Sequence, residues 1–254
     1  MGSIVSSLTF QPPKPPSYNA EKPYPVTFVE GVKAGKQVAL YYLKAKTEDV
    51  KATILYSHGN GMDMGMSYDF LTILRDKLNV NVVHYEYFGY GVLQDIEEPS
   101  EQGVYECALT AYNYVVHTLN IPPESIIIYG TSMGTAASIY LAAHHRKVAG
   151  VVLESPFESI VRTVTNVFAG RLIDIFPNYM RIGAIDAPVF VIHGENDELV
   201  PVDHGIYITK HVKNPYPALW IKNAGHNDLR EILGLRELTN HLKKFMVECN
   251  VIKE

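Results

Sequence analysis

A serine, an aspartate and a histidine stand in this chain where they could together transfer an acyl group. Ser132 is the centre of Gly130-Thr-Ser-Met-Gly134, Asp197 closes His193-Gly-Glu-Asn-Asp197, and His226 ends Ala224-Gly-His226. A serine hydroxyl is a weak nucleophile at neutral pH. It needs an imidazole to take its proton, and the imidazole needs a carboxylate to fix its tautomer and stabilise its cation. The oxygen of the attacked carbonyl gains negative charge and must meet prearranged N–H donors. One donor is expected from the backbone of Met133, the residue after the nucleophile. The second is expected from His58-Gly-Asn-Gly61, whose glycines leave the backbone open to an approaching oxygen. Asn60 is favoured there ahead of Gly61, and His58 is expected to brace the loop.

These residues need elements to hold them. Ser125-Ile-Ile-Ile-Tyr129 is an apolar run and Thr135–His145 a helix-forming one, so Ser132 lies at a strand–turn–helix junction, the setting of a nucleophile elbow. Strand and helix patterns alternate from Val26 onward, which predicts a mainly parallel sheet with helices on both faces. Val26–Glu30 and Gln37–Lys44 read as an opening antiparallel pair. Further strands are expected at Ala52–Ser57, Asn81–Tyr87, Ile126–Tyr129, Val148–Leu153, Pro188–His193 and Ala218–Ile221. Helices are expected at Ser67–Leu78 and Gly103–Leu119, with a closing helix or helix pair over Leu229–Asn250. Serine, then acid, then histidine is the order of the α/β-hydrolase fold, unlike the orders of chymotrypsin or subtilisin. Two carboxylates follow late strands and could orient His226: Glu154 and Asp197. Asp197 is preferred, because the turn Glu198-Leu-Val-Pro201 beyond it can aim a short side chain.

The remaining composition narrows the function classes. A formal net charge of -5 without a basic block gives nucleic acid nothing to bind. Cys107 and Cys249 show neither metal spacing nor a disulfide framework, and no Asn-x-Ser/Thr acceptor is present, which fits a reducing, cytoplasmic setting. No metal cluster or phosphate-cradling loop is apparent, so no cofactor is implied. No run is apolar enough to span a bilayer.

Residues 1–25 read as a leader and 26–254 as the catalytic domain. The leader holds six prolines between residues 11 and 25 and should be extended rather than helical, with disorder the plain expectation. Met1-Gly2-Ser3-Ile4-Val5-Ser6 fits the N-myristoylation pattern at Gly2. A single myristoyl chain would give reversible, peripheral attachment to the cytoplasmic face of a membrane. Between Pro156 and Pro188, apolar residues including Phe157 and Phe168 fall near helical spacing. That stretch would form a short cap after the sixth strand, or the core face of an ordinary crossover helix.

Several longer motifs recur in one order: Ser57-His-Gly-Asn60, Tyr85-Glu-Tyr-Phe-Gly-Tyr-Gly91, Pro99-Ser-Glu101, Ile128-Tyr-Gly-Thr-Ser-Met-Gly-Thr135, Phe176-Pro-Asn178, Asp203-His-Gly205 and Leu219-Trp-Ile-Lys-Asn-Ala-Gly-His-Asn-Asp228. From about Leu8 to the last helix, the chain resembles the α/β-hydrolase domain-containing protein 17 family. The Phe-Pro-Asn and Gly-His-Asn-Asp segments are the most discriminating. The resemblance implies a membrane-associated enzyme that removes palmitate from protein cysteines. Family members carry an acylated N-terminal cysteine cluster, whereas this chain has no cysteine before Cys107, so the Met-Gly start would have to replace that anchor.

The expectation is therefore a serine hydrolase that cleaves acyl thioesters through an acyl-Ser132 intermediate. Its substrate would be an acylated protein, with the acyl chain against Phe157 and Phe168. A carboxylesterase or lipase-like hydrolase acting on a lipid ester would use the same triad. A non-catalytic, partner-binding hydrolase fold is disfavoured by the intact Ser132, Asp197 and His226.

Overall fold

A computed structural model of the 254-residue chain describes residues 9–19, 24–48, 50–164 and 174–253. The chain divides into two compact units, Met1–Pro122 and Pro123–Glu254.

In the first unit, β1 (Val26–Glu30), β2 (Gln37–Leu43), β3 (Thr53–Ser57) and β4 (Asn81–Tyr85) are ordered β1-β2-β4-β3. The pairs β1/β2 and β2/β4 are antiparallel, and β3/β4 is parallel. All five residues of both β3 and β4 are buried, as strands covered on both faces require. Helix α1 (Tyr68–Leu78) buries Leu71, Leu74 and Leu78, one stripe at helical spacing. It stops at Asn79, whose left-handed backbone (φ 50°) closes the last turn. Helix α2 (Glu101–Asn113) starts where the Ser100 hydroxyl accepts the Gly103 N–H at 3.0 Å. It gives way to a π-helical turn at Tyr114–Thr118, so the single helix expected to Leu119 is two segments of different pitch.

Residues 9–19 of the leader are packed. Phe10 and Tyr18 are buried. The Ser17 N–H and hydroxyl both donate to the Asp63 carboxylate, and the Tyr18 hydroxyl donates to Glu86 over 2.8 Å. Asn60 joins in with both ends of its amide: Nδ2 donates to the Thr9 carbonyl (2.7 Å) and Oδ1 accepts from Gln11 N–H (2.9 Å) and the Tyr90 hydroxyl (2.6 Å). Hydrogen bonds from its side chains and backbone tie the segment to the loops after β3 and β4.

In the second unit, β5 (Ile126–Thr131), β6 (Gly150–Glu154), β7 (Val189–Gly194) and β8 (Leu219–Ile221) lie in sequence order and are parallel throughout. Their crossovers hold α3 (Gly134–His144), α4 (Ile160–Val164) and α5 (Val202–His211). The chain closes with α6 (Leu229–Leu233) and α7 (Leu235–Glu248). The α7 residues Leu238, Leu242, Phe245 and Met246 are buried. Between β6 and β7, Phe157 is 2% exposed and meets Phe176 edge-on at 6.2 Å, and the Asn178 side chain caps the Phe157 carbonyl (2.9 Å). Phe157 is thus a core residue here. Phe168 and Gly2 lie outside the described residues.

Candidate active site

Ser132 follows β5 and precedes α3, and its backbone is left-handed (φ 51°). A side chain costs energy in that region, and the surroundings hold it there. The Ser132 N–H bonds to the Glu154 carbonyl (2.8 Å), and its own carbonyl accepts the Thr135 N–H and hydroxyl (2.9 and 2.6 Å). Gly130 lets the helix approach: a Cβ there would stand 2.3 Å from the Gly134 carbonyl oxygen and 2.5 Å from Ser138 Oγ. Gly130 is therefore a steric requirement of the turn.

Asp197 lies just beyond β7. The segment is fixed by Glu195 N–H to Ile221 O and Asn196 N–H to Ala224 O, both 2.9 Å. Gly194 permits that closeness, since a Cβ would come 2.3 Å from Ala224 O. His226 follows β8 on the same anchored loop. Its Nε2 is 3.0 Å from Ser132 Oγ and its Nδ1 is 2.7 Å from Asp197 Oδ2. The three expected residues meet in hydrogen-bond contact, in nucleophile–base–acid sequence.

The acid is well supplied with donors. Asp197 Oδ1 accepts the N–H groups of Leu199 (3.0 Å) and Val200 (2.7 Å). Burial pushes its carboxyl upward, but the N–H groups of His193, His226 and Val200 outweigh burial and hold it well below the usual carboxylate range. Asp197 is thus ionised and can keep the Nδ1 proton on His226, leaving Nε2 to accept from Ser132.

Glu154, the rival acid, is engaged elsewhere. Its Oε2 accepts from the Tyr129 hydroxyl (2.6 Å), and its Oε1 from Arg230 Nε (2.8 Å). Arg230 also reaches the Thr131 hydroxyl (2.9 Å), one residue before Ser132. This clamp was not legible in the sequence, because no spacing rule links residues that far apart. The loop expected to carry the second oxyanion donor belongs to the first unit. There His58 is fully buried, with Nε2 2.9 Å from Glu86 Oε1 and Nδ1 2.9 Å from Gly59 O, the bracing role expected of it. Burial pushes the Cys249 thiol up to about 12 and Cys107 higher still, so neither presents a thiolate. Among the described residues, no cluster of three or more His, Cys, Asp or Glu could hold a metal ion, and no helix is long and apolar enough to cross a membrane.

Comparison with known proteins agrees with this architecture. A family model for the alpha/beta hydrolase domain matches residues 50–250. Alpha/beta hydrolase domain-containing protein 17B of Xenopus tropicalis is 32% identical over 97% of this chain and 92% of its own. The Homo sapiens protein of the same name is 32% identical over 96% and 91%. Among solved structures, an esterase of Pyrococcus furiosus superposes with a TM-score of 0.73 at 14% identity, covering 94% of this chain and 98% of that one. An alpha-beta serine hydrolase homologue from Coxiella burnetii gives 0.68 at 19% identity, over 90% and 99%. At such identities the solved structures speak for the fold alone, while the sequence relatives speak for the family. This chain belongs to the alpha/beta hydrolase domain-containing protein 17 family, within the alpha/beta hydrolases.

Proposed function

We propose that the protein is a serine hydrolase that cleaves acyl thioesters, removing palmitate from protein cysteines. The observation that carries this reading is the contact chain Ser132 Oγ–His226 Nε2–Asp197 Oδ2, at 3.0 and 2.7 Å. Ser132 Oγ adds to the acyl carbonyl carbon while His226 takes its proton. The C–S bond then breaks, and His226 returns the proton to the departing cysteine sulfur. Water attacks the acyl-serine with His226 again as base, and the fatty acid leaves as Ser132 regains its hydrogen. The proposed oxyanion donors are the backbone N–H groups of Met133 and Asn60. Thioester rather than oxygen-ester specificity rests on the family resemblance, and the triad chemistry serves both.

The acyl chain is assigned to the apolar 157–176 stretch, with Phe168 as the residue to test, since Phe157 is already packed against Phe176. Myristate on Gly2 is the proposed anchor to the cytoplasmic face of a membrane. The decisive experiment presents purified protein with acyl thioesters and oxygen esters of graded length, with Ser132→Ala as the blank. Ser132-dependent cleavage that rises with acyl length and favours thioesters is expected. Activity that survives in Ser132→Ala defeats the reading, and a preference for short oxygen esters moves it to the carboxylesterase alternative. For the anchor, Gly2→Ala should shift cellular protein from the membrane to the soluble fraction.

A further inference from the structure

A second histidine touches the acid of the triad. His193, on β7, is fully buried. Its Nε2 is 2.8 Å from the Val200 carbonyl oxygen and 3.3 Å from Asp197 Oδ2. Both atoms are acceptors, so the ring proton is on Nε2. Its Nδ1 has no hydrogen-bond partner and faces the backbone of Gly205 on α5. A Cβ at Gly205 would stand 2.5 Å from that nitrogen and 3.2 Å from Trp220. The glycine of Asp203-His-Gly205 thus lets α5 close over the ring. The other titratable group near the ring is His204 on α5, which lies 3.3 Å from Glu158.

The Val200 carbonyl that His193 holds belongs to the turn whose Leu199 and Val200 N–H groups donate to Asp197 Oδ1. His193 therefore acts on the carboxylate twice, through the turn that grips one oxygen and directly beside the other. We infer that His193 is a positioning residue for Asp197: its Nε2–H, between Val200 O and the carboxylate, keeps the acid aimed at His226. Gly205 is its backing. The inference rests on the proposed reading that Ser132, His226 and Asp197 carry out acyl transfer.

The test uses the full-length protein with a short-chain p-nitrophenyl ester, and the rate of fluorophosphonate labelling where turnover is slow. His193→Met keeps the bulk and removes the N–H, and should lower kcat about tenfold with little change in KM, the scale of a hydrogen bond to a charged group. His193→Gln, whose amide nitrogen reaches about as far as Nε2, should restore most of the loss. In an Asp197→Asn background, His193→Met should change the rate by less than about twofold, because groups acting as a unit are not additive. Equal losses in both backgrounds, or equal losses in the Met and Gln variants, overturn the inference. Where His193→Met does not fold, Gly205→Ala replaces it in the same comparison, and a rate equal to wild type overturns the inference likewise. Activity that needs Ser132 but ignores His193 sinks this inference alone, whereas activity that ignores Ser132 sinks the proposed function.

Discussion

The guanidinium of Arg230 holds the carboxylate of Glu154: Nε donates to Oε1 over 2.8 Å, between residues 76 apart in the chain. With the Tyr129 hydroxyl on its other oxygen, Glu154 is a fastener between β6, the end of β5 and α6, and Asp197 is left as the partner of His226. Asp197→Asn should therefore lower turnover by about 10⁴, the scale on which a lost histidine tautomer is felt. Glu154→Gln should keep most of the turnover and lose about 1–3 kcal/mol of stability, as charged hydrogen bonds to a buried carboxylate are weakened. Steady-state rates and urea midpoints measured on both variants check the pair. The reverse ranking in rate would return the acid to Glu154.

The left-handed backbone at Ser132 should separate by stability two variants that the proposed mechanism expects to be inactive. Ser132→Ala retains a Cβ at φ 51°, whereas Ser132→Gly removes it. The glycine variant should be more stable than the alanine variant by about 1 kcal/mol. Chemical denaturation of the two, both expected to be silent to a fluorophosphonate, measures the difference directly.

Gly130→Ala should disable the elbow from below. The added methyl meets the Gly134 backbone at 2.3 Å, and although the Ser138 hydroxyl could turn aside, the backbone at the junction of β5 and α3 cannot. A loss of about 3 kcal/mol is expected, together with activity that falls further than the folded fraction does. Thermal melting alongside active-site labelling distinguishes a displaced serine from simple unfolding.

Asp197 should also leave a mark on acid stability. Its folded-state pKa is depressed below the ordinary 3.8. Its contribution is therefore present in full above the unfolded value and is lost as pH falls through the folded one. The stability difference between wild type and Asp197→Asn should be constant from neutral pH down to about 4–5 and shrink below that. Denaturation at graded pH gives the curve, and a difference that grows on acidification would contradict the depressed pKa.

Tyr18→Phe should destabilise the first unit by about 1–2 kcal/mol, since it takes a donor from the buried Glu86 carboxylate. Removing residues 1–19 should cost more and open the loop after β3 to proteolysis. A truncated chain as stable as the full one would mean that the contacts to Asp63 and Glu86 are incidental.

Much of this was legible in the sequence because it depends on local rules. The elbow needs small residues at fixed offsets, and Gly130 and Gly134 supply them. Alternating apolar runs placed the strands within a few residues. No apolar pattern in the sequence marks helix α5, and the reason for Gly205 near its start is the ring of His193. The π turn after Asn113 leaves too short a pattern for its pitch to be told from 3.6 residues. In the leader the prolines dominate the pattern, and nothing in the sequence marks Phe10 and Tyr18 as anchors, although two buried aromatics are what a strapped segment needs. The partners of Glu154, Glu86 and Asp63 come from distant parts of the chain, and pairing of that kind is set by packing rather than by spacing.

The strapped leader would also set the tether length of the proposed lipid anchor. The Thr9 carbonyl is already bonded to Asn60, so a lipid on Gly2 would be joined to a fixed point by residues 2–8 alone. That stretch reaches at most about 25 Å when fully extended. An enzyme on so short a lead would search only a thin shell beneath the bilayer, where acylated cysteines lie close to the surface and at high effective concentration. Lengthening the lead with a flexible insert after residue 8 would dilute that advantage without altering any residue of the triad.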